Sequence, residues 1–356
     1  MVVGFVSEGS VAVGRGPRRG SRKETAITSR QETPIVGTGP RTVRELGEFG
    51  LIARMNAGRT QVPGVLLGPG DDAAVIAAPG GQFVVSTDML VQDRHFRLDW
   101  SSPRDIGAKA IAQNAADVVV MGAAPSAFVV SFGCPPDTPV AFVDGFVEGM
   151  WAEADRAGAS IAGGDVVAAP LLIISVTAFG NPLRAPVLLS GAAPGDIVAV
   201  AGRLGWSAAG LAVLAAGRDP ARHPDVVAAH RIPSPPYRAV LDMPPGAPIT
   251  AMTDVSDGLL ADIGHIAESS AVAIDLDSAA VRDRELDPVA AELGVDPLDW
   301  ILTGGEDHAF AATFRGGQDL PPGWAPVGRV AAGSGVTVDG DRWSGPVGWE
   351  SFSDGG

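Results

Sequence analysis

Residues 104–123 read RDIGAKAIAQNAADVVVMGA, an apolar helical run interrupted by Lys109, Asn114 and Asp117. Asn114 lies about one turn before Asp117 and Lys109 about two, so the three side chains share one helix face. Buried among apolar neighbours, such a stripe is costly unless each group finds a partner. An internal salt bridge would satisfy it, and so would a site that needs the carboxylate. Strand-like segments flank the run, GQFVVSTD (81–88) before it and SAFVVSFG (126–133) after it. A helix between two strands sets the style of the whole chain.

Outward from this core the alternation continues. VAFVDGFVEGMWAEADRAG (140–158) is an amphipathic helix stopped by Gly158. ASIAGGDVV (159–167) and APLLIISVTAFG (169–180) follow as strands. On the N-terminal side, TVRELGEFGLIARM (42–55) carries Thr42 and Glu45 at capping-box spacing, with Leu46, Phe49, Ile52 and Met55 at helical intervals. Proline and glycine accumulate in GNPLRAPVLLSGAAPGD (180–196), which marks a boundary. Beyond it come a strand DIVAVAG, a helix SAAGLAVLAAG, a proline-rich connector HRIPSPPYRAV, a strand ITAMTD and a helix SDGLLADIGHIAESS. Further strands lie at AVAIDLD, AFAATF and APVGRV. The expected fold class is α/β (α+β), with an N-terminal domain over 42–183 and a C-terminal domain over 184–352. Residues 1–41 lack apolar periodicity and are expected to be a disordered extension.

Composition narrows the function. A chain of 356 residues that is 46% hydrophobic can bury a large core. Its longest apolar stretches, such as PLLIISVTAF (170–179), are too short to cross a bilayer, and no signal pattern opens it, so the cytoplasm is the expected compartment. Cys134 is the single cysteine, which excludes an internal disulfide and a thiolate metal cluster. A net charge of −15 argues against nucleic acid and anionic membranes as partners. With only Lys23 and Lys109 as lysines, a phosphate ligand would depend on divalent cations for neutralisation.

The acidic residues gather where strands are expected to end. Asp88 closes one strand, Asp165 follows Gly163 and Gly164, Asp254 closes another, and Asp257 opens the next helix. Asp71 and Asp72 sit in GPGDDAAV (68–75). Singly, each has an ordinary role: a solvated turn for GPGDDAAV, an N-cap for Ser256, a helix-terminus complement for Asp257 and a turn closure for Asp165. Together they would repel one another unless something positive sat between them, and Mg²⁺, shared between carboxylates and phosphates, meets that need. His95 in QDRHF either reaches a bound anion or packs locally, and His265 packs or caps at the surface. Phosphate-loop, kinase glycine-loop, HExxH, GxSxG and cysteine–histidine patterns do not occur.

Six ordered motifs, GPGDDAAV, STDMLVQDRHF, GAKAIAQNAADVVVMGAAP, AGGDVV, TDVSDGLLADIGHIA and TGGEDHAF, resemble the thiamine-monophosphate kinase family within the aminoimidazole ribonucleotide synthetase superfamily. The resemblance spans roughly residues 43–352. It implies a two-domain αβ fold, a homodimer joined through N-terminal-domain strands, and transfer of the ATP γ-phosphate to thiamine monophosphate. By the same resemblance Asp71, Ser86, Thr87, Asp88, Asp117, Asp165, Asp254 and Asp257 are Mg²⁺ ligands, with Asp71, Asp117 and Asp257 closest to catalysis. Gly164, Asp165 and Ser256 match positions at ATP; His95, Glu306 and Trp349 match positions at the thiamine phosphate. Two departures stand out. Trp349 in VGWESF replaces an aromatic followed by Asp-His-Phe, and Leu189 stands where the family has an arginine that contacts ATP phosphate, with Arg184 five residues earlier. The alternatives are another ATP-using member of the superfamily and a non-catalytic nucleotide-binding relative. Selenophosphate synthetase is disfavoured because no cysteine precedes Cys134, and the hydrogenase-maturation enzyme because the chain ends SFSDGG.

Overall fold

The computed structural model describes residues 42–69 and 73–349. The expected N-terminal extension, Asp71 and Asp72 lie outside the described residues. Helices are α1 (Val43–Leu46), α2 (Glu48–Asn56), α3 (Pro103–Val120), α4 (Val140–Ala157), α5 (Trp206–Ala215), α6 (Pro224–Arg231), α7 (Tyr237–Leu241), α8 (Leu259–Ser270), α9 (Ser278–Val281), α10 (Asp287–Leu293) and α11 (Pro297–Thr303). Strands are β1 (Val65–Leu67), β2 (Val75–Ile76), β3 (Val84–Val91), β4 (Ala123–Cys134), β5 (Ser160–Ala168), β6 (Ile173–Pro182), β7 (Ile197–Ala201), β8 (Ile249–Val255), β9 (Ala273–Leu276), β10 (Ala309–Phe314), β11 (Ala325–Ala331) and β12 (Gly335–Val338). They form a two-stranded sheet β1-β2, a four-stranded sheet β3-β6-β4-β5 and a six-stranded sheet β12-β9-β11-β7-β10-β8.

The helix read from 104–123 is α3, and local chemistry fixes its start. Ser102 Oγ accepts from the Asp105 N–H at 3.2 Å, the Asp105 carboxylate accepts from the Ser102 N–H at 2.9 Å, and Pro103 occupies the first turn. Fourteen of its eighteen residues are buried. One side packs on the four-stranded sheet and α4, while another meets β8 and α7. The α4 contact is backbone-close: a Cβ at Gly107 would stand 2.0 Å from the Phe146 carbonyl oxygen, and one at Gly149 would stand 2.0 Å from that of Arg104.

The second half wraps the other side by strict alternation. Ala199, Ala201, Phe310, Ala312 and Phe314 join Ile111, Val118 and Val119 in one apolar cluster. Their neighbours Val198, Val200, Ala309 and Ala311 turn the opposite way, toward Ala209 of α5 and Ile263 of α8. The six-stranded sheet is thus covered on both faces.

The four-stranded sheet is different. Its even-numbered β3 residues face α3, whereas Val85 (59% exposed) and Met89 (52%) look outward. Register extends that outward face across all four strands, through Met89, Ser175, Ser131 and Asp165 in one row and Thr87, Thr177, Val129 and Gly163 in another. It is a broad mixed surface of apolar and hydroxyl side chains.

Several expectations change in detail. Asp88 lies inside β3 rather than at its end, because Met89, Leu90 and Val91 continue the pairing with β6. Asp165 likewise lies within β5, paired with Ser131. Gly47, at φ 74°, splits the helix expected over 42–55 into α1 and α2. The short elements β1, β2, β12, α6, α7 and α9 to α11 carried no periodicity long enough to read.

Candidate active site

The polar stripe of α3 meets β3 directly. Asn114 Oδ1 accepts from the Asp88 N–H at 2.9 Å, and Gln113 Nε2 donates to Asp88 Oδ2 at 3.2 Å. Ser86 Oγ donates to Asp117 Oδ2 at 2.7 Å. Ser86 and Asp88 are two apart on a strand and therefore face α3 together. Thr87 does not: its hydroxyl donates to the Val176 carbonyl at 2.9 Å on the other side of β3.

From the six-stranded sheet, β8 brings Asp254, whose Oδ2 lies 3.0 Å from His308 Nδ1. After β8 the chain turns through Ser256, Asp257 and Gly258 into α8. Asp262 caps that turn, its Oδ2 accepting from the N–H groups of Ser256 (3.0 Å), Asp257 (3.0 Å) and Gly258 (3.1 Å). Gly258, rather than Ser256, is the residue at the helix boundary, and the cap comes from within α8. The side chains of Ser256 and Asp257 are thereby released from capping.

Five carboxylates share one field. Burial pushes Asp117 up to about 7, with the charges of Asp254 and then Asp88 adding to it. Burial also raises Asp257, again with help from Asp254 and Asp88. Asp262 is raised to about 7 by burial and then by Asp254. Asp88, Asp117, Asp254 and Asp257, drawn from both halves of the chain, therefore converge.

The TGGEDH loop crosses beside them. Glu306 and His308 are non-glycine residues in left-handed backbone, at φ 64° and φ 49°, a strain held by surrounding bonds. The Glu306 N–H donates to the Ser256 carbonyl at 2.7 Å and that of His308 to Val255 at 2.8 Å. Between them, buried Asp307 accepts from the N–H groups of Gly205 at 2.6 Å and Ser207 at 2.9 Å at the start of α5. A Cβ at Gly305 would stand 2.6 Å from the Ser256 carbonyl oxygen, so this approach requires glycine.

Lys109 joins this loop to the other half. Its Nζ lies 2.9 Å from Glu306 Oε1 and donates to the His95 carbonyl at 2.8 Å. The internal salt bridge considered for the α3 stripe is present at Lys109, with Glu306 as its partner. The His95 ring accepts the Val91 N–H at Nδ1, 2.9 Å away. A main-chain N–H only donates, so Nδ1 is unprotonated and Nε2–H is the donor that His95 offers.

The remaining candidates divide. The Trp349 N–H donates to the Asp257 carbonyl at 2.9 Å, which places a half-exposed indole-bearing residue at the edge of the acidic group. Asp165 shares the outward face with Thr87, three strand spacings from β3, on the order of 14 Å. Within one chain these two are not brought to Asp88 and Asp117. At Gly164 a Cβ would stand 1.9 Å from the Val130 carbonyl oxygen, so strand packing alone already requires glycine there. Arg184 donates to the carbonyls of Val240 at 3.3 Å and Met243 at 3.1 Å, committing its guanidinium to the end of α7. His265 is exposed on α8. The sequence reading missed His308 and Asp262; the signals were a histidine two residues after Glu306 and an aspartate in the first turn of α8.

The donor set is hard oxygen, suited to Mg²⁺ rather than to a soft metal. Among the described residues no three His, Cys, Asp or Glu side chains close around one point. A cation that keeps much of its water and shares phosphate oxygens with one or two carboxylates fits this arrangement.

Comparison with known proteins agrees across the chain. Residues 70–181 match the family model "AIR synthase related protein, N-terminal domain" and residues 193–340 its C-terminal counterpart. Thiamine-monophosphate kinase of Mycobacterium tuberculosis is 53% identical over 318 residues, covering 88% of this chain and 94% of that one. The structure of thiamine-monophosphate kinase from Stenotrophomonas maltophilia superposes with a TM-score of 0.70 at 31% identity, covering 82% of this chain and 95% of that one. The structure of AaThiL complexed with AMPPCP and TMP gives a TM-score of 0.71 at 30% identity, covering 89% of this chain and all of that one.

One substitution separates a functional acid from a structural one. Burial pushes Asp117 up to about 7 in the folded chain, above its unfolded value near 3.9, so its stabilising contribution is full below about 4 and is lost as pH rises through 7. Asp117→Asn is therefore expected to stabilise the metal-free protein at pH 8 by about 1–3 kcal/mol while abolishing turnover. Thermal melting with an activity assay checks both, and a destabilised variant would return Asp117 to a purely structural role.

Proposed function

The chain belongs to the thiamine-monophosphate kinase family of AIR synthase related proteins, and we propose that it transfers the ATP γ-phosphoryl group to thiamine monophosphate in the cytoplasm. The observation that carries the reading is the convergence of Asp88 from β3, Asp117 from α3, Asp254 from β8 and Asp257 from the turn before α8 onto one region. Mg²⁺, when bound, would neutralise the facing phosphate groups. Asp88, Asp117, Asp254 and Asp257, with Ser86 beside Asp117, would share several such ions, one or two carboxylates to each; Asp71 is assigned with them from its motif.

The acceptor is a phosphate monoester oxygen that is largely ionised at neutral pH, so the chain needs no general base. Its task is to hold two polyanions in line, and alignment of this kind can supply as much as about 7–11 kcal/mol of barrier lowering. His95, through Nε2–H, is suited to donate to the thiamine phosphate. Burial pushes the Glu306 carboxyl up, yet Lys109 and then His230 bring it below its usual range, so an ionised carboxylate faces the cationic thiazolium. The Trp349 indole offers a flat face to a heterocycle. Ser256, freed from capping by Asp262, is assigned to ATP.

Gly164, Asp165 and Thr87 enter through a second copy. The outward face of the four-stranded sheet, with Val85, Met89 and Val167 more than half exposed, is the surface on which a homodimer would close. Asp165 at its edge then completes the nucleotide end of the site.

Purified protein given ATP, Mg²⁺ and thiamine monophosphate is expected to yield ADP and thiamine diphosphate in equal amounts. ATP binding without product would overturn the catalytic reading. Sedimentation is expected to show twice the chain mass, reduced to one chain mass by Met89→Glu; a monomeric wild type would remove the dimer and with it the assignment of Asp165.

A further inference from the structure

Lys109 is the most deeply buried cation of the described chain, 2% exposed, and its contacts lie at the border of the two halves. It enters from α3, the helix that also presents Asn114 and Asp117. Nζ spans Glu306 Oε1 at 2.9 Å and the His95 carbonyl at 2.8 Å. Glu306 is 32% exposed, so its carboxylate has one oxygen on Lys109 while part of the side chain opens to solvent. On its other oxygen, Oε2, His230 Nδ1 stands 3.6 Å away, beyond a normal hydrogen bond. His230 in turn lies 3.2 Å from Ser207 Oγ and packs edge-on against Trp100. Burial and then the Lys109 charge push His230 down to about 4, leaving Lys109 as the charged partner in contact with Glu306.

We infer that Lys109 is a positioning residue for the acceptor end of the site, fixing the Glu306 carboxylate and the His95 loop as one unit through a single buried ammonium. The inference rests on the proposed function, which puts Glu306 and His95 at the thiamine phosphate. Lys109 does not touch substrate. Glu306 sits in left-handed backbone, a conformation that a non-glycine residue holds only under external constraint, and the ion pair is a side-chain part of that constraint. The His95 carbonyl is likewise held, so the loop after β3 cannot drift from the TGGEDH loop. Lysine suits the task because a compact ammonium has three donors on a thin stem that a buried helix can accommodate. The same helix orders the carboxylates through Asn114 and Ser86-bound Asp117, so the donor and acceptor ends share one rigid support.

The test is a double-variant cycle with Lys109→Met, Glu306→Gln and both together. Losing a charge-assisted bond should raise the KM for thiamine monophosphate by roughly tenfold to a hundredfold in Lys109→Met, leaving kcat and the KM for ATP within about threefold. In the Glu306→Gln background the added lysine change should alter that KM by about threefold at most. Additive effects, or an equal rise in the KM for ATP, would overturn the inference. Should Lys109→Met fail to fold, the double variant leaves no charge unpaired and carries the test: its KM for thiamine monophosphate should match that of Glu306→Gln, and a raised KM for ATP would overturn the inference. Melting temperatures give a readout without substrate, because the summed losses of the single variants should exceed the loss of the double. If the wild type forms no thiamine diphosphate but shows this coupling, the functional reading fails and the positioning of Glu306 stands; additive thermal losses sink the positioning itself.

Discussion

A helix buried from two sides yet carrying Lys109, Gln113, Asn114 and Asp117 is the constraint on which the rest of the structure depends. Sequestering such groups is unfavourable unless each is matched. Asn114 is matched by the Asp88 main chain and by Ala110, Gln113 by the Asp88 carboxylate, and Lys109 by Glu306 and His95. Asp117 receives the Ser86 hydroxyl and the favourable charge of His308, against burial and the repulsion of Asp254 and then Asp88. Asp117 is thus the member of the stripe that is held against like charge.

That imbalance explains the surroundings. The TGGEDH loop accepts left-handed backbone at two non-glycine residues and a close approach at Gly305, and its bonds to Val255, Ser256, Gly205 and Ser207 hold it there. His308 is raised despite burial because its hydrogen bond to Asp254, and then the Asp254 charge, favour its charged form. The fold thus contains the strain and repulsion of the site within a frame of apolar packing. Gly107 and Gly149 lock α3 to α4, and β7 and β10 close the other side.

Much of this was legible in the sequence because it depends on spacing within one element. The polar stripe of α3, the strand-helix alternation and the grouping of aspartates all follow from local period, and the six motifs tied them to a family. What depends on tertiary register was not legible. Asp88 and Asp165 read as strand ends because aspartate is a poor strand former, but pairing with β6 and β4 carries each strand past its acid. Thr87 and Asp165 read as members of one cluster with Asp88, yet residue parity turns them to the other face. The partner of Lys109 lies 197 positions away at Glu306, as the numbering itself shows, beyond any helical-period argument. Asp262 was hidden because a cap reaching backward from inside a helix looks like a solvent-facing acid.

The central proposal is that the carboxylates gathered at α3 bind a divalent cation together with nucleotide phosphate. Calorimetric titration of Mg²⁺ at pH 7, in the presence of a non-hydrolysable ATP analogue and in buffers of different ionisation enthalpy, tests it most directly. With Asp117 pushed up to about 7, binding should release protons, so the measured heat should change with the buffer, and Asp117→Asn should reduce that dependence. Magnesium binding with the same heat in every buffer, unaltered by Asp117→Asn, would contradict the account.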